Sequence, residues 1–281
     1  MIIDCHTHIW DVRAHLSKVF VDDYKAIYKS TGETLSALPA QHQKGVEGAD
    51  RVVVVAFKSV ALGINVPNDY VAKYCDKDPK RLIGFCCVDP NEAGAADELR
   101  KCIRDYHMRG LKLGPIYQNF DPSSEAASKI FEAAQELGIP VLMHQGTTFV
   151  RSAPLKFAYP SLLDDVAIKF KDLKIIIAHL GHPWEDETIA VIRKHPNVYA
   201  DVSALSYRPF RFFDKLLVAF EYGVHDKLVF GSDFPFDTTA NALSVLRDIS
   251  RYSASENSLK RVPQEMIENI ISNNAKKIFR D

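Results

Sequence analysis

The stretch Ile2-Ile3-Asp4-Cys5-His6-Thr7-His8 sets two histidines one residue apart behind an apolar start, and further histidines at 144 and 179 also follow apolar runs. Residues two apart on a strand share a face, so a strand over Ile2 to Cys5 would release His6 and His8 side by side. Two adjacent imidazoles can ligate a metal or act as hydrogen-bonded filler. One pair alone does not choose between these. The choice comes from the ends of the other apolar runs: PVLMH ends in His144, KIIIAH in His179 and LVFGSD in Asp233. A lone histidine in such a place is ordinarily a satisfied core residue. Five ionisable groups gathered at one end of one sheet are different, because burying them together without a cation is costly. Imidazoles with one carboxylate suit zinc and neighbouring divalent ions.

The elements that must position these groups are legible as eight short apolar runs: MIIDC, RVVVVAF, LIGFCCV, GLKL, PVLMH, KIIIAH, VYADVS and LVFGSD. Near-continuous apolar runs are the mark of parallel strands covered on both faces. Helical patterns lie between them, at Ala95 to Tyr106, from Asp121-Pro122-Ser123-Ser124 to Gly138, at Glu185 to Lys194 and at Pro263 to Phe279. In the second of these, Asp121 is the expected cap and Pro122 the first helical residue. Strand and helix alternating eight times predict one α/β domain over residues 1–281, a (β/α)8 TIM barrel. A doubly wound open sheet is disfavoured, because no glycine-rich phosphate loop follows an early strand. The connection from about residue 12 to 48 is long enough to cap a barrel mouth and carries a helical stretch near Asp22 to Tyr28. In such a barrel the active site lies at the C-terminal ends of the strands, and closure makes the eighth strand a neighbour of the first. Asp233 is thereby expected beside the His6/His8 pair.

Composition narrows the partners. The 281 residues are 47% hydrophobic and 25% charged with a formal net charge of −1, which gives no basic footprint for nucleic acid and no attraction to an anionic membrane. No run approaches a membrane span or a signal peptide. The five cysteines are odd in number and lack a C-x-x-C spacing, so reduced, buried thiols and a cytoplasmic location are expected.

DCHTH, the strand-end His144 and His179, and Gly231-Ser232-Asp233-Phe234-Pro235 resemble the amidohydrolase superfamily. Along essentially the whole chain, GLKLGP, ELGIPVLMHQG, DLKIIIAHLGHPW, NVYADVS and NAKKIF look like the amidohydrolase-related branch that includes aminocarboxymuconate-semialdehyde decarboxylase and lactone hydrolases. The resemblance implies His6, His8 and His144 as metal ligands, Asp233 as ligand and proton-transfer residue, and His179 as a catalytic residue facing substrate. Relatives often carry K-L-H-P where this chain has Lys112-Leu113-Gly114-Pro115, so one histidine of the pattern is absent. Lys112 is read as a substrate-binding or packing amine rather than a carboxylated bridge, which leaves one metal ion. Zinc is expected, with manganese or another divalent ion as the alternative.

A divalent ion held by three neutral imidazoles acidifies a bound water towards a pKa of ~7. With Asp233 moving the proton and His179 polarising a carbonyl, these parts make a hydrolase for a small-molecule ester, lactone or amide-like carbonyl. The same parts serve a decarboxylase of an aromatic or muconate-like acid. Substrate contacts are expected from Trp10, Lys112, Arg151, His182, Trp184, Tyr207 and Phe234, with Arg208 as a further carboxylate clamp. Asp201 and Ser203 are candidates to orient a ligand imidazole. The resemblance also implies a homodimer as the assembly.

Overall fold

The computed structural model describes residues 1–29, 35–252 and 261–279, so residues 30–34 of the predicted mouth-capping connection lie outside the description. The strands in chain order are β1 (Ile3–His8), β2 (Arg51–Val55), β3 (Phe57–Ser59), β4 (Ile64–Val66), β5 (Leu82–Cys87), β6 (Gly110–Leu113), β7 (Val141–Met143), β8 (Ile175–Ile177), β9 (Val198–Asp201) and β10 (Leu228–Val229). Eight of them form one parallel sheet in the order β1-β2-β5-β6-β7-β8-β9-β10, while β3 and β4 make a small antiparallel hairpin that sequence reading missed. The ends of the sheet meet: Cys5 N donates to Phe230 O at 3.0 Å, Asp233 N to His6 O at 2.8 Å and His8 N to Phe234 O at 2.8 Å. The fold is a (β/α)8 barrel.

The eighth predicted strand is shorter than its apolar run. Only Leu228 and Val229 are extended in the ladder, and the chain then leaves it, Asp233 taking a left-handed conformation with φ 61°. The long connection after β1 folds into α1 (Val12–His15), α2 (Lys18–Tyr28) and α3 (Pro39–Gly45). The outer ring continues with α4 (Asn68–Cys75), α5 (Ala95–Asp105), α6 (Pro115–Gln118) and α7 (Glu125–Glu136). It is completed by α8 (Leu163–Lys169), α9 (Glu185–Lys194), α10 (Pro209–Glu221), α11 (Thr239–Asp248) and α12 (Gln264–Glu268). At α7 the cap is Ser124, whose hydroxyl accepts from Ala127 N, and not Asp121. Asp121 instead closes a turn onto Ser123 N at 2.8 Å, a bond its short side chain makes more readily than a distant cap. The predicted helix over Pro263 to Phe279 is α only to Glu268 and continues as π and 3-10 turns.

The core has two parts. One lies between sheet and helices and includes Val52, Val54, Leu99, Phe131 and Ile192. The other fills the barrel with Ile3, Cys5, Val53, Val55, Ile83, Phe85, Leu142 and Ile176, and Ile278 and Phe279 pack with it from the C-terminal segment. All five cysteines are buried and free. Among the described residues no helix is long and apolar enough to cross a membrane.

Candidate active site

The placement of His6 and His8 depends on an irregularity in β1. Against β2, Asp4 pairs with Val52 but Thr7 pairs with Val54, so β1 carries one extra residue between them. A bulge of this kind shifts the alternation of faces by one position. Cys5 therefore packs in the barrel interior, and His6 and His8 also reach the interior at the strand's end. Thr7 points the other way. Its hydroxyl donates to Val53 O at 2.6 Å and meets His42 Nε2 at 2.9 Å, and His42 Nδ1 meets the Tyr74 hydroxyl at 2.8 Å.

The five strand-end groups converge. His8 Nε2 lies 3.3 Å and His6 Nε2 3.6 Å from Asp233 Oδ1, and His179 Nε2 lies 3.2 Å from His144 Nδ1. One ligand atom from each of His6, His179 and Asp233 falls within 4.8 Å of the others. Ligand atoms that share one tetrahedral ion at about 2.1 Å stand about 3.4 Å apart. The spacings of Asp233 to His6 and His8 fit that value. His8 Nδ1 is buried without a hydrogen bond, so the ring's polar capacity is not used up by the protein.

Electrostatics point the same way. Burial, reinforced by the nearby Lys112 amine, holds His144 down to about 3, and burial likewise holds His6, His8 and His179 well below the usual imidazole range. Neutral imidazole is the form that binds a metal. Burial pushes the Asp233 carboxyl well up, against the pull of Lys112. Lys112 enters from β6 with its amine 2.9 Å from His6 Nε2, and burial lowers it to about 8 although Asp233 and Asp201 oppose this.

Asp201, at the end of β9, ties the cluster together. Its Oδ2 takes His6 Nδ1 at 3.0 Å, and its Oδ1 accepts from His179 N at 2.9 Å and from the Ser203 hydroxyl at 2.5 Å. Because the Ser203 proton goes to Asp201, Ser203 Oγ accepts from His179 Nδ1 at 2.8 Å. That leaves Nε2 as the acceptor of the neutral ring. His179 and Asp233 both hold positive φ, 58° and 61°, a conformation costing about 1–2 kcal/mol in a residue with a Cβ. Two of the clustered side chains thus stand on strained backbone.

An inner cavity is lined by His6, His8, Trp10, Lys112, His144, His179 and Asp233, with Phe20, Phe57, Tyr117 and Phe236 as apolar wall. It shares His144, His179 and Asp233 with an outer mouth to which Tyr28, Phe149, His182, Tyr207 and Arg208 contribute. Trp10 is buried, its indole donating to Leu35 O at 2.5 Å. Three of the expected substrate residues lie elsewhere. Arg151 is exposed and pairs with Asp23 at 3.6 Å. Trp184 packs tilted against Tyr159, with ring centroids 4.7 Å apart, and Phe234 is buried edge-on to His42. None of the three lines either cavity.

Two contributors were not anticipated. Tyr117 packs edge-on to His144 at 4.6 Å, and a Cβ at Gly114 would stand 3.2 Å from its ring. The aromatic ring occupies the space beside Gly114. The second is the aromatic face of α2: a helix near Asp22 to Tyr28 was expected in the mouth-capping connection, but not that Phe20, Tyr24 and Tyr28, recurring every four residues, share one face. That face meets Phe149 at 4.8, 5.6 and 5.8 Å and forms one wall of the mouth. The four-residue spacing was the available signal.

Comparison with known proteins agrees with this architecture. A dihydroorotase from Helicobacter pylori is 31% identical over 172 residues, 51% of this chain and 49% of that protein. The chain's matches span about half to two thirds of the length of its curated relatives. A probable 2-pyrone-4,6-dicarboxylic acid hydrolase from Acinetobacter baumannii superposes with a TM-score of 0.69 at 16% identity, covering 99% of this chain and 98% of the other. A dihydroxybenzoic acid decarboxylase from a Polaromonas species, solved with bound manganese and an inhibitor, gives 0.68 at 16% identity, covering 99% and 96%. The family model described as amidohydrolase matches residues 3–280, and the chain belongs to that enzyme family.

Proposed function

We propose that this protein is a metal-dependent hydrolase that opens a small-molecule ester, lactone or amide-like carbonyl. The observation that carries the reading is the placement of Asp233 Oδ1 at 3.6 and 3.3 Å from the Nε2 atoms of His6 and His8. His6, His8 and His144 would hold a divalent ion, zinc by the donor set and manganese as the alternative, with Asp233 completing the set. When bound, such an ion polarises a carbonyl and acidifies water.

The chain's own groups supply the rest. Asp233 takes a proton from water at its carboxylate and delivers it to the leaving oxygen or nitrogen, a role typically contributing ~10²–10⁴-fold. His179 Nε2, the open acceptor of its ring, would take a proton released by water and return it to the carbonyl oxygen as charge develops there. Ser203 and Asp201 behind Nδ1 stabilise that charged ring. Trp10, Phe57 and Phe236 give the inner cavity an apolar wall.

Decarboxylation of an aromatic or muconate-like acid is the second reading. It is favoured by Arg208, which lines the outer mouth, where a substrate carboxylate would meet it. The deciding experiment offers metal-reconstituted protein a panel of lactones and of aromatic and muconate-like acids, following ring opening and CO₂ together. Ring opening without CO₂ is expected. Stoichiometric CO₂ would select the second reading, and neither product with any of several divalent metals would sink both.

A further inference from the structure

Beyond the metal cluster, the mouth contains a second polar array built for precision. His182 Nδ1 sits 2.6 Å from Glu185 Oε1. Glu185, the first residue of α9, is 1% exposed and is gripped by Arg211, whose Nε donates to Oε1 at 2.8 Å and whose Nη2 donates to Oε2 at 2.7 Å. Arg211 Nη2 also holds Pro183 O at 2.6 Å. The backbone of His182 is fixed from both sides, its N–H donating to His179 O at 2.9 Å and its carbonyl accepting from Thr147 N at 2.8 Å. A Cβ at Gly146 would come within 2.5 Å of that same carbonyl, so the approach of the two loops requires glycine there.

Arg211 and His182 share the two Glu185 oxygens, Oε1 facing His182 Nδ1 and so selecting the Nδ1–H form of the ring. In the neutral ring this leaves Nε2 as a hydrogen-bond acceptor, in a side chain that lines the mouth and stays 14% exposed. A ring held for packing alone requires neither a buried carboxylate at one nitrogen nor an opening at the other.

We propose that His182 is a specificity-determining residue whose Nε2 accepts a hydrogen bond from a hydroxyl or amino group at the end of the substrate remote from the metal cluster. Glu185 and Arg211 are its positioning residues. The proposal rests on the mouth being the substrate entrance of the reading given above, and it selects small molecules that carry an O–H or N–H donor.

The test titrates manganese-loaded protein with benzoate and its 2-, 3- and 4-hydroxy isomers. At least one isomer is expected to bind about fivefold more tightly than benzoate, the worth of one net hydrogen bond. His182→Leu should erase that preference, and His182→Gln, whose amide oxygen can accept, should keep part of it. No preference in the wild type, or the same preference in His182→Leu, would overturn the proposal. A readout without ligand is the imidazole tautomer by nitrogen NMR: Nδ1–H in the wild type, no longer enforced in Glu185→Leu, which has no acceptor. An Nε2–H ring in the wild type would also overturn it. Failure of all four acids to bind would count against the functional reading of the site, while the tautomer still decides the role of His182.

Discussion

Asp201 Oδ2 and His6 Nδ1 meet at 3.0 Å, two fully buried groups 195 residues apart in the chain. The contact fixes His6 with its Nε2 turned towards Asp233, and the other Asp201 oxygen fixes the backbone of His179. One carboxylate thus orients an expected metal ligand and a residue expected to face substrate.

Asp201→Asn should therefore weaken metal binding by about 10–100-fold, the usual cost of losing a partner that orients a ligand imidazole. Competition against a chelator of known affinity measures it. Unchanged affinity in a folded variant would remove Asp201 from this role.

Asp233→Asn should lower turnover by about 10²–10⁴-fold while the protein retains some metal through its histidines. Metal analysis beside kinetics on a confirmed substrate separates the two effects. Full rate in this variant would show that the proton travels by another group.

Acid should destabilise the fold through His42, which burial holds at about 3. The unfolded chain binds this proton near pH 6.5 and the folded one does not, so stability falls as pH drops from about 6.5 towards 3. Between pH 7 and 5 the loss from this group is about 2 kcal/mol. Asp4, raised to about 6, contributes in the opposite sense, so the quantity to compare is wild type against His42→Gln. Urea midpoints at the two pH values should show a smaller acid loss in the variant, and an equal loss would refute the assignment.

Gly45→Ala should destabilise by about 1–3 kcal/mol through overpacking. A Cβ there would stand 2.0 Å from the ring of Phe234, the residue next to Asp233. Activity should fall with stability in denaturant and kinetic assays. A variant as stable and active as the wild type would show that this contact is slack.

The barrel was legible because its strands are apolar on both faces and its helices repeat every three to four residues. The strand-end histidines and Asp233 were legible because closure of an eight-stranded barrel brings the last strand to the first. The bulge in β1 was not, because alternation cannot reveal an extra residue that pairing alone exposes. Nor was the departure of the chain from the ladder after Val229, since Phe230 is as apolar as a strand residue. Arg151 was misplaced because charge carries no address: its partner, Asp23, comes from a helix 128 residues earlier. His182 could be located in sequence, but its dependence on Arg211 rests on a contact between separate helices.

The seam between β1 and residues 230–234 has a consequence for biosynthesis. His6 and Asp233 are separated by almost the whole barrel in sequence, so a nascent chain that has not yet released Asp233 cannot contain their contact. The cluster assembles only when the ring shuts, and the His6–Asp233 approach reports that closure.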